Sequence, residues 1–321
     1  MGNWLEQLNF NPLPFLLSVD NKALLYFVRR DLTDEEVETV TTLWDLPQVK
    51  KEINRQQTDG AWKYPANKEQ AKENYNLLET FRVLGHLVEK YGLDNRHPAI
   101  QRAADYLFSC QTEEGDFRGI YGTQYSPNYS AAITELLIKA GYENDLRIEK
   151  SFEWLLSVRQ DDGGWAIPIR THSIKWEETL KYPTPLQPVR SKPFSHLVTG
   201  MVMRAFAAHP TYRHSEPAKV AGVLLSSRFF ESDKYVDRRD KSYWEETSCP
   251  FFFTDIVSVL DSLSLMGFTK DNEQIGKALD RLRGRQFENG LFEIKLLKAK
   301  DKDSTYWSSL AICRVFKRLY K

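Results

Sequence analysis

The sequence predicts an all-α fold of repeated helical hairpins, on three observations. A turn motif recurs four times, a one-sided apolar stripe leads into the copies, and broader apolar stretches lie between them. The turns are Gln57–Trp62, Gln111–Phe117, Gln160–Trp165 and Gln286–Phe292, each running from a Gln through polar residues and a Gly to an aromatic ring. Their glycines, Gly60, Gly115, Gly163 and Gly290, are separated by 55, 48 and 127 residues. The last interval is about two and a half periods long, so a degenerate copy is expected at Leu225–Phe230.

The elements follow in chain order. Leu24–Arg30 begins the first broad apolar helix, and Asn74–Lys90 is the second, carrying Leu77, Phe81, Leu84 and Leu87. Before Gln111, Ile100, Ala103, Ala104 and Leu107 stand at i, i+3, i+4 and i+7, the spacing of one helix face. Tyr129–Ala140 is again broad, and Ile148, Phe152 and Leu155 restore the narrow stripe before Gln160. His196–Ala208 and Asp255–Met266 are broad. Ile275, Ala278, Leu279 and Leu282 are the stripe before Gln286, and Tyr306–Leu319 closes the series. A wide apolar face suits an inner helix, and a narrow stripe with charges opposite suits an outer one. Six inner stretches result, alternating with outer ones at a period near 50 residues, as in a ring or solenoid. Asn3–Leu8 is assigned to the last outer position. Each Gly falls where a helix ends and positive φ is needed.

Composition narrows the function classes. With 44 Lys plus Arg against 44 Asp plus Glu, the chain has no net basic field to draw nucleic acid or an anionic membrane. The three cysteines, Cys110, Cys249 and Cys313, form no CxxC pair and fit a reducing compartment better than a disulfide framework. Met1–Asp20 lacks the basic and apolar regions of a signal peptide, and no stretch reaches the ~20 apolar residues of a membrane span. A cytoplasmic location is the expectation. Aromatic residues make up 13% of the chain, enough for a large aromatic core or an aromatic-lined cavity.

The Gln-x(2,3)-Gly-x-Trp/Phe turns resemble the QW motifs of squalene–hopene cyclases and related terpenoid cyclases. Protein prenyltransferase β-subunits carry similar turns. The resemblance spans the chain from about residue 20 to its end. It implies an (α/α)6 toroid, residues 1–321 forming one domain in which six inner helices surround a central cavity; Pro168, Pro183, Pro185, Pro188 and Pro193 mark a long Pro-rich loop at about 166–194. It also implies an isoprenoid or other apolar ligand in that cavity. The signature acids of the family are missing. There is no DxDD for alkene protonation and no DDxxD to hold magnesium on a diphosphate. Cys249 and Asp255 open the fifth inner helix without the Asp-x-Cys spacing of a prenyltransferase zinc site. Even with His196 they make a weak zinc set, so neither metal nor cofactor is expected.

Candidate site residues come from the starts of the inner helices, which face one mouth of such a ring. Asn74, Tyr75, Tyr125, Tyr129, Trp244, Phe251, Phe252, Tyr306 and Trp307 are the candidate ligand-binding residues, because electron-rich ring faces hold apolar chains or stabilise cations. Asp255 and His196, at helix starts, and His172 and Glu177, in the Pro-rich loop, are the candidate acid/base groups. Two other functions compete: a non-catalytic scaffold for protein partners, marked by an exposed apolar patch, and an (α/α)6 carbohydrate-active enzyme, marked by carboxylates across a polar groove.

Overall fold

Where the sequence places stripes and broad faces, the structure has helices. The structure, a computed structural model, describes residues 4–64, 75–118, 122–174, 178, 182–235, 240–297 and 302–320. The helices are α1 (Leu13–Leu17), α2 (Lys22–Val28), α3 (Pro47–Ile53), α4 (Tyr75–Tyr91), α5 (Pro98–Ser109), α6 (Pro127–Leu137) and α7 (Leu146–Ser157). They continue with a single turn α8 (Pro168–Thr171), then α9 (His196–Ala208), α10 (Glu216–Ser226), α11 (Ile256–Leu265), α12 (Glu273–Arg283) and α13 (Ser304–Leu319). Two residues of Glu246–Thr247 pair in parallel with Lys295–Leu296. Starts follow local chemistry: Asn21, Asp145, Ser195 and Asn272 cap α2, α7, α9 and α12 through their side-chain oxygens, and Pro stands in the first turn of α3, α5 and α6.

The inner helices pack in a circuit. α2 contacts α4, α4 contacts α6, α6 contacts α9, α9 contacts α11, α11 contacts α13, and α13 returns to α2. α9 shows why these helices lie inside: twelve of its thirteen residues, His196–Ala207, are buried. Outer α12 buries only Ile275, Ala278, Leu279 and Leu282, the stripe read from the sequence. No helix among the described residues is long and apolar enough to cross a membrane.

The recurring turns join each outer helix to the next hairpin. Gln56 Nε2 donates to Gly60 O at 2.9 Å and to Ala99 O, at the start of α5, at 2.8 Å. Gln111 and Gln286 donate to Gly115 O and Gly290 O in the same way, at 2.9 and 2.8 Å. In the third turn Arg159 takes this place, its Nε donating to Gly163 O at 2.7 Å. The motif reading is thereby corrected at two positions. Gln57, the glutamine that opens the first motif, leaves its buried Nε2 without a hydrogen-bond partner, and Gln160, which opens the third, instead donates to Val189 O and Lys192 O. Gly115 is required twice over: its φ is +105°, and a Cβ there would meet Lys150 O at 2.5 Å.

The aromatic residue of each turn is held by a hydroxyl on an inner helix. The N–H groups of Trp62, Phe117, Trp165 and Phe292 donate to Thr80, Ser130, Thr199 and Ser309 at 2.9, 2.9, 2.8 and 3.1 Å. The indoles of Trp62 and Trp165 donate to Glu52 O and Leu155 O in the preceding outer helices. The expected degenerate copy follows α10: Phe230 takes the positive φ, +61°, usual for a glycine, and the Trp244 indole donates to Glu231 O at 2.9 Å. Trp244 is fully buried, and its ring stacks on Tyr243.

Candidate functional site

The starts of the inner helices gather aromatic side chains. Tyr75 opens α4, Tyr129 lies in the first turn of α6, Phe251 and Phe252 lead into α11, and Tyr306 lies in the first turn of α13; all five keep part of their surface accessible. Tyr75 packs on Tyr64 with ring centres 5.0 Å apart. Phe252 reaches across the circuit, its ring 6.3 Å from Phe81 on α4 and its carbonyl accepting from Arg204 of α9 at 3.3 Å. The segment before α11 therefore lies within the ring of inner helices. Cys249, on the same segment, stands where charges of Lys90, Glu89, Arg314 and Lys139 reach it, and burial pushes its thiol up to about 11.

Three expected ligand-binding residues sit elsewhere. Trp244 packs on His196 of α9 and on Phe229, with ring centres 5.8 and 5.5 Å away. Tyr125 is buried edge-on against Trp154 of outer α7, and its hydroxyl donates to Glu114 while accepting from Gln187 at 3.2 Å. Burial and Glu114 raise its phenol to about 12. Trp307 is buried, with Phe27 of α2 at 6.0 Å and the Lys90 ammonium 5.5 Å from its ring. Asn74 and Glu177 lie outside the described residues.

Each described candidate acid/base group has hydrogen-bond partners of its own. Asp255 caps α11: Oδ1 accepts from Val257 N and Ser258 N at 2.9 and 3.1 Å, and Ser258 Oγ closes the capping box on Asp255 N. Burial raises its carboxyl to about 7, against the lowering effects of these hydrogen bonds and of Arg204. His196 Nδ1 pairs with the Tyr243 hydroxyl at 2.9 Å, and burial lowers its pKa. His172 is exposed, with Nε2 at 2.9 Å from Gln187 O. Cys249, Asp255 and His196 belong to no group of three metal-ligating side chains among the described residues.

Sequence reasoning missed the charged interior. Arg204 and Glu135, both buried, pair at 2.6 Å between α9 and α6. Lys139 continues the chain, at 2.8 Å from Glu135 and 2.5 Å from Glu89 of α4. Burial alone would raise Glu135, but Arg204 and Lys139 hold it below the usual carboxylate range. In sequence, Glu135 and Arg204 lie 69 residues apart inside apolar runs; a charge on an otherwise apolar helix face was the available signal.

Lys139 leads to an open cavity of about 450 Å³. Its walls are the chain after α2, the last turns of α4, α11 and α13, and Lys139 beyond α6. It thus opens where inner helices end, whereas the expected site lies where they begin. Each of its cations is paired. Arg30 and Arg314 hold Asp31 at 2.6 and 2.5 Å, Lys317 holds Asp34 at 2.7 Å, and Arg318 pairs with Asp261. Lys317 and Arg318 occupy the last turn of α13, where the helix dipole favours positive charge.

These features define an all-α protein of helical hairpins joined by Gln–Gly–aromatic turns. Residues 74–187 match the family model of the squalene-hopene cyclase C-terminal domain. A squalene–hopene cyclase of Zymomonas mobilis is 30% identical over 79 residues, which is 25% of this chain and 12% of that enzyme. Together the two matches support placing the chain in a squalene cyclase-like superfamily. Among solved structures, a polysaccharide lyase superposes with a TM-score of 0.48 at 14% identity, covering 87% of this chain and 86% of the lyase. A glycosyl hydrolase family 88 protein from Bacteroides vulgatus superposes at 0.48 and 13% identity, covering 94% and 99%.

Proposed function

We propose that this protein is a cyclase- or prenyltransferase-like toroid, residues 1–321 acting as one domain, that holds an apolar, isoprenoid-like ligand against the aromatic side chains at the starts of its inner helices. The observation that carries this reading is the partial exposure of Tyr75, Tyr129, Phe251, Phe252 and Tyr306. Large rings that keep accessible surface favour an apolar occupant. The buried Asp255, three residues after Phe252 in the chain and with its carboxyl near 7, suits an acid in such a chamber.

The test is native extraction of the purified protein followed by lipid mass spectrometry, together with titration of farnesol into delipidated protein. A recovered isoprenoid, or saturable farnesol binding weakened by Phe252→Ala, supports the reading. Absence of both would sink it. Asp255→Asn is expected to abolish turnover of any recovered ligand while the fold persists; turnover at the wild-type level removes Asp255 as the acid.

The scaffold reading has one observation in its favour. Phe10, Phe15, Leu17 and Phe287 are exposed near the seam where the first and last repeats meet. Loss of a co-purifying protein on Phe15→Ser/Phe287→Ser, with farnesol binding absent, would favour it.

A further inference from the structure

We propose that the cleft at the ends of the inner helices is a second site, one that binds an uncharged, hydroxyl-rich ligand: a neutral oligosaccharide. It stands apart from the reading above, because its residues lie at the other ends of the helices from the aromatic group.

Charge arrangement selects the ligand class. The cavity of about 450 Å³ is lined by Arg30, Lys139, Arg314, Lys317 and Arg318, and by the carboxylates Asp31, Asp34, Glu89 and Asp261. Every one of those cations already has a carboxylate partner. A phosphate or sulfate would meet the carboxylates of these pairs beside every cation, and their repulsion offsets the attraction. A hydroxyl disturbs none of them: it donates to a carboxylate lone pair and accepts from a guanidinium N–H. Alternating donors and acceptors around a cavity therefore match a polyol and disfavour a polyanion.

The rim is held in place from below. Phe27 underlies two guanidinium groups, Arg30 at 4.7 Å and Arg314 at 5.4 Å from its ring centre, and these two grip Asp31 from both sides. They hold the Asp31 carboxyl below its ordinary range against the opposing effect of burial. Val88 and Leu265 add apolar wall for the C–H face of a sugar ring. The backbone is irregular at the same places. α2 runs on through Arg29–Thr33 to Asp34 at φ +56°, and α6 through Ile138 to Gly141 at φ +94°, and these left-handed helix ends place Arg30, Asp31 and Lys139 on the cleft wall.

The cleft extends beyond one sugar. A second open hollow of about 410 Å³ shares Lys139 and runs past Asn95 and Arg213 over the ends of α4, α6 and α9. Each hollow falls in the usual range of about 300–1,000 Å³ for ligand sites. Two hollows meeting at Lys139 suit a chain of two or more units.

The experiment is a glycan array carrying neutral and sulfated oligosaccharides, probed with the wild type and Leu265→Trp at low and physiological salt. Retention of neutral oligosaccharides, insensitive to salt and about tenfold weaker in Leu265→Trp, is expected. Preferential, salt-sensitive binding of sulfated glycans overturns the proposal, as do the absence of any glycan binding and equal binding by the variant. Thermal unfolding checks that Leu265→Trp is folded; if it is not, Asp261→Asn takes its place with the same expected loss. Isoprenoid binding at the other mouth is measured separately, so either idea can fail alone.

Discussion

The Gln286 side-chain amide donates to Phe10 O at 2.6 Å, and its oxygen accepts from Phe10 N at 3.1 Å. This pair joins residues 276 positions apart. In the earlier turns the corresponding residue reaches forward to the next outer helix, as Gln56 does to Ala99 O. After the last turn comes inner α13 and, among the described residues, no further outer helix; the turn bonds to the chain's beginning, and Gly290 lies so close that a Cβ would meet Asn11 O at 2.5 Å.

Gln286→Ala is therefore expected to destabilise by about 1–2 kcal/mol, since it removes two long-range hydrogen bonds at a half-exposed site. The loss is local in character. Amide exchange should quicken first over Trp4–Leu17, the segment released from the last turn. Unchanged exchange there would show that α13 alone holds the N-terminus.

Thr199 tests the aromatic turns. Its hydroxyl accepts from Trp165 N at 2.8 Å and donates to Trp165 O at 3.1 Å, wholly within the core. Thr199→Val keeps the volume and strands the N–H, which should cost about 1–3 kcal/mol in urea unfolding. Thr199→Ser restores the acceptor and should recover most of that loss; equal losses in both variants would argue for packing instead.

The buried pair Arg204–Glu135 predicts an asymmetry. Arg204→Met leaves Glu135 with Lys139 alone and should cost about 3–5 kcal/mol, the usual penalty for stranding a buried charge. Arg204→Met with Glu135→Leu removes both charges and should be markedly more stable than the single variant, as read by chemical denaturation. A double variant as weak as the single one would count against the pair.

Asp255 predicts the pH dependence. Its folded carboxyl lies near 7 against an ordinary value of 3.8. The folded state thus keeps a proton that the unfolded chain releases. Stability from this group is complete below about pH 4 and is lost as pH rises towards 7. Asp255→Asn retains a capping oxygen without the buried charge. It should be more stable than the wild type at pH 8, by on the order of 2–4 kcal/mol, with the gain shrinking towards pH 4. Parallel pH profiles for the two proteins would contradict the raised value.

Much of the architecture was legible because it rests on local rules. The stripe Ile275, Ala278, Leu279 and Leu282 needs only helical periodicity to declare which face of α12 is buried. Glycines at positive φ mark the turns for the same local reason. The degenerate copy near Leu225–Phe230 was also visible by counting, although the role of Trp244 in it was not: Trp244 stands 14 residues beyond Phe230, where no fixed spacing points to it. Nor was the assignment of the tie to Gln56 and Arg159 legible beside Gln57 and Gln160, because adjacent residues differ only in the direction their side chains take from the turn.

Sequence alone determined the helices, their inner or outer character and the turns between them, since each depends on periodicity and backbone conformation within a few residues. Tertiary structure alone decided which charges meet. Glu135 finds Arg204, Asp31 finds Arg314, and Lys139 bridges two helices into a cleft at the helix ends. Such pairs form between segments that share no local pattern. Their partners are chosen by the order in which the inner helices pack, and that order has no signature within any one of them.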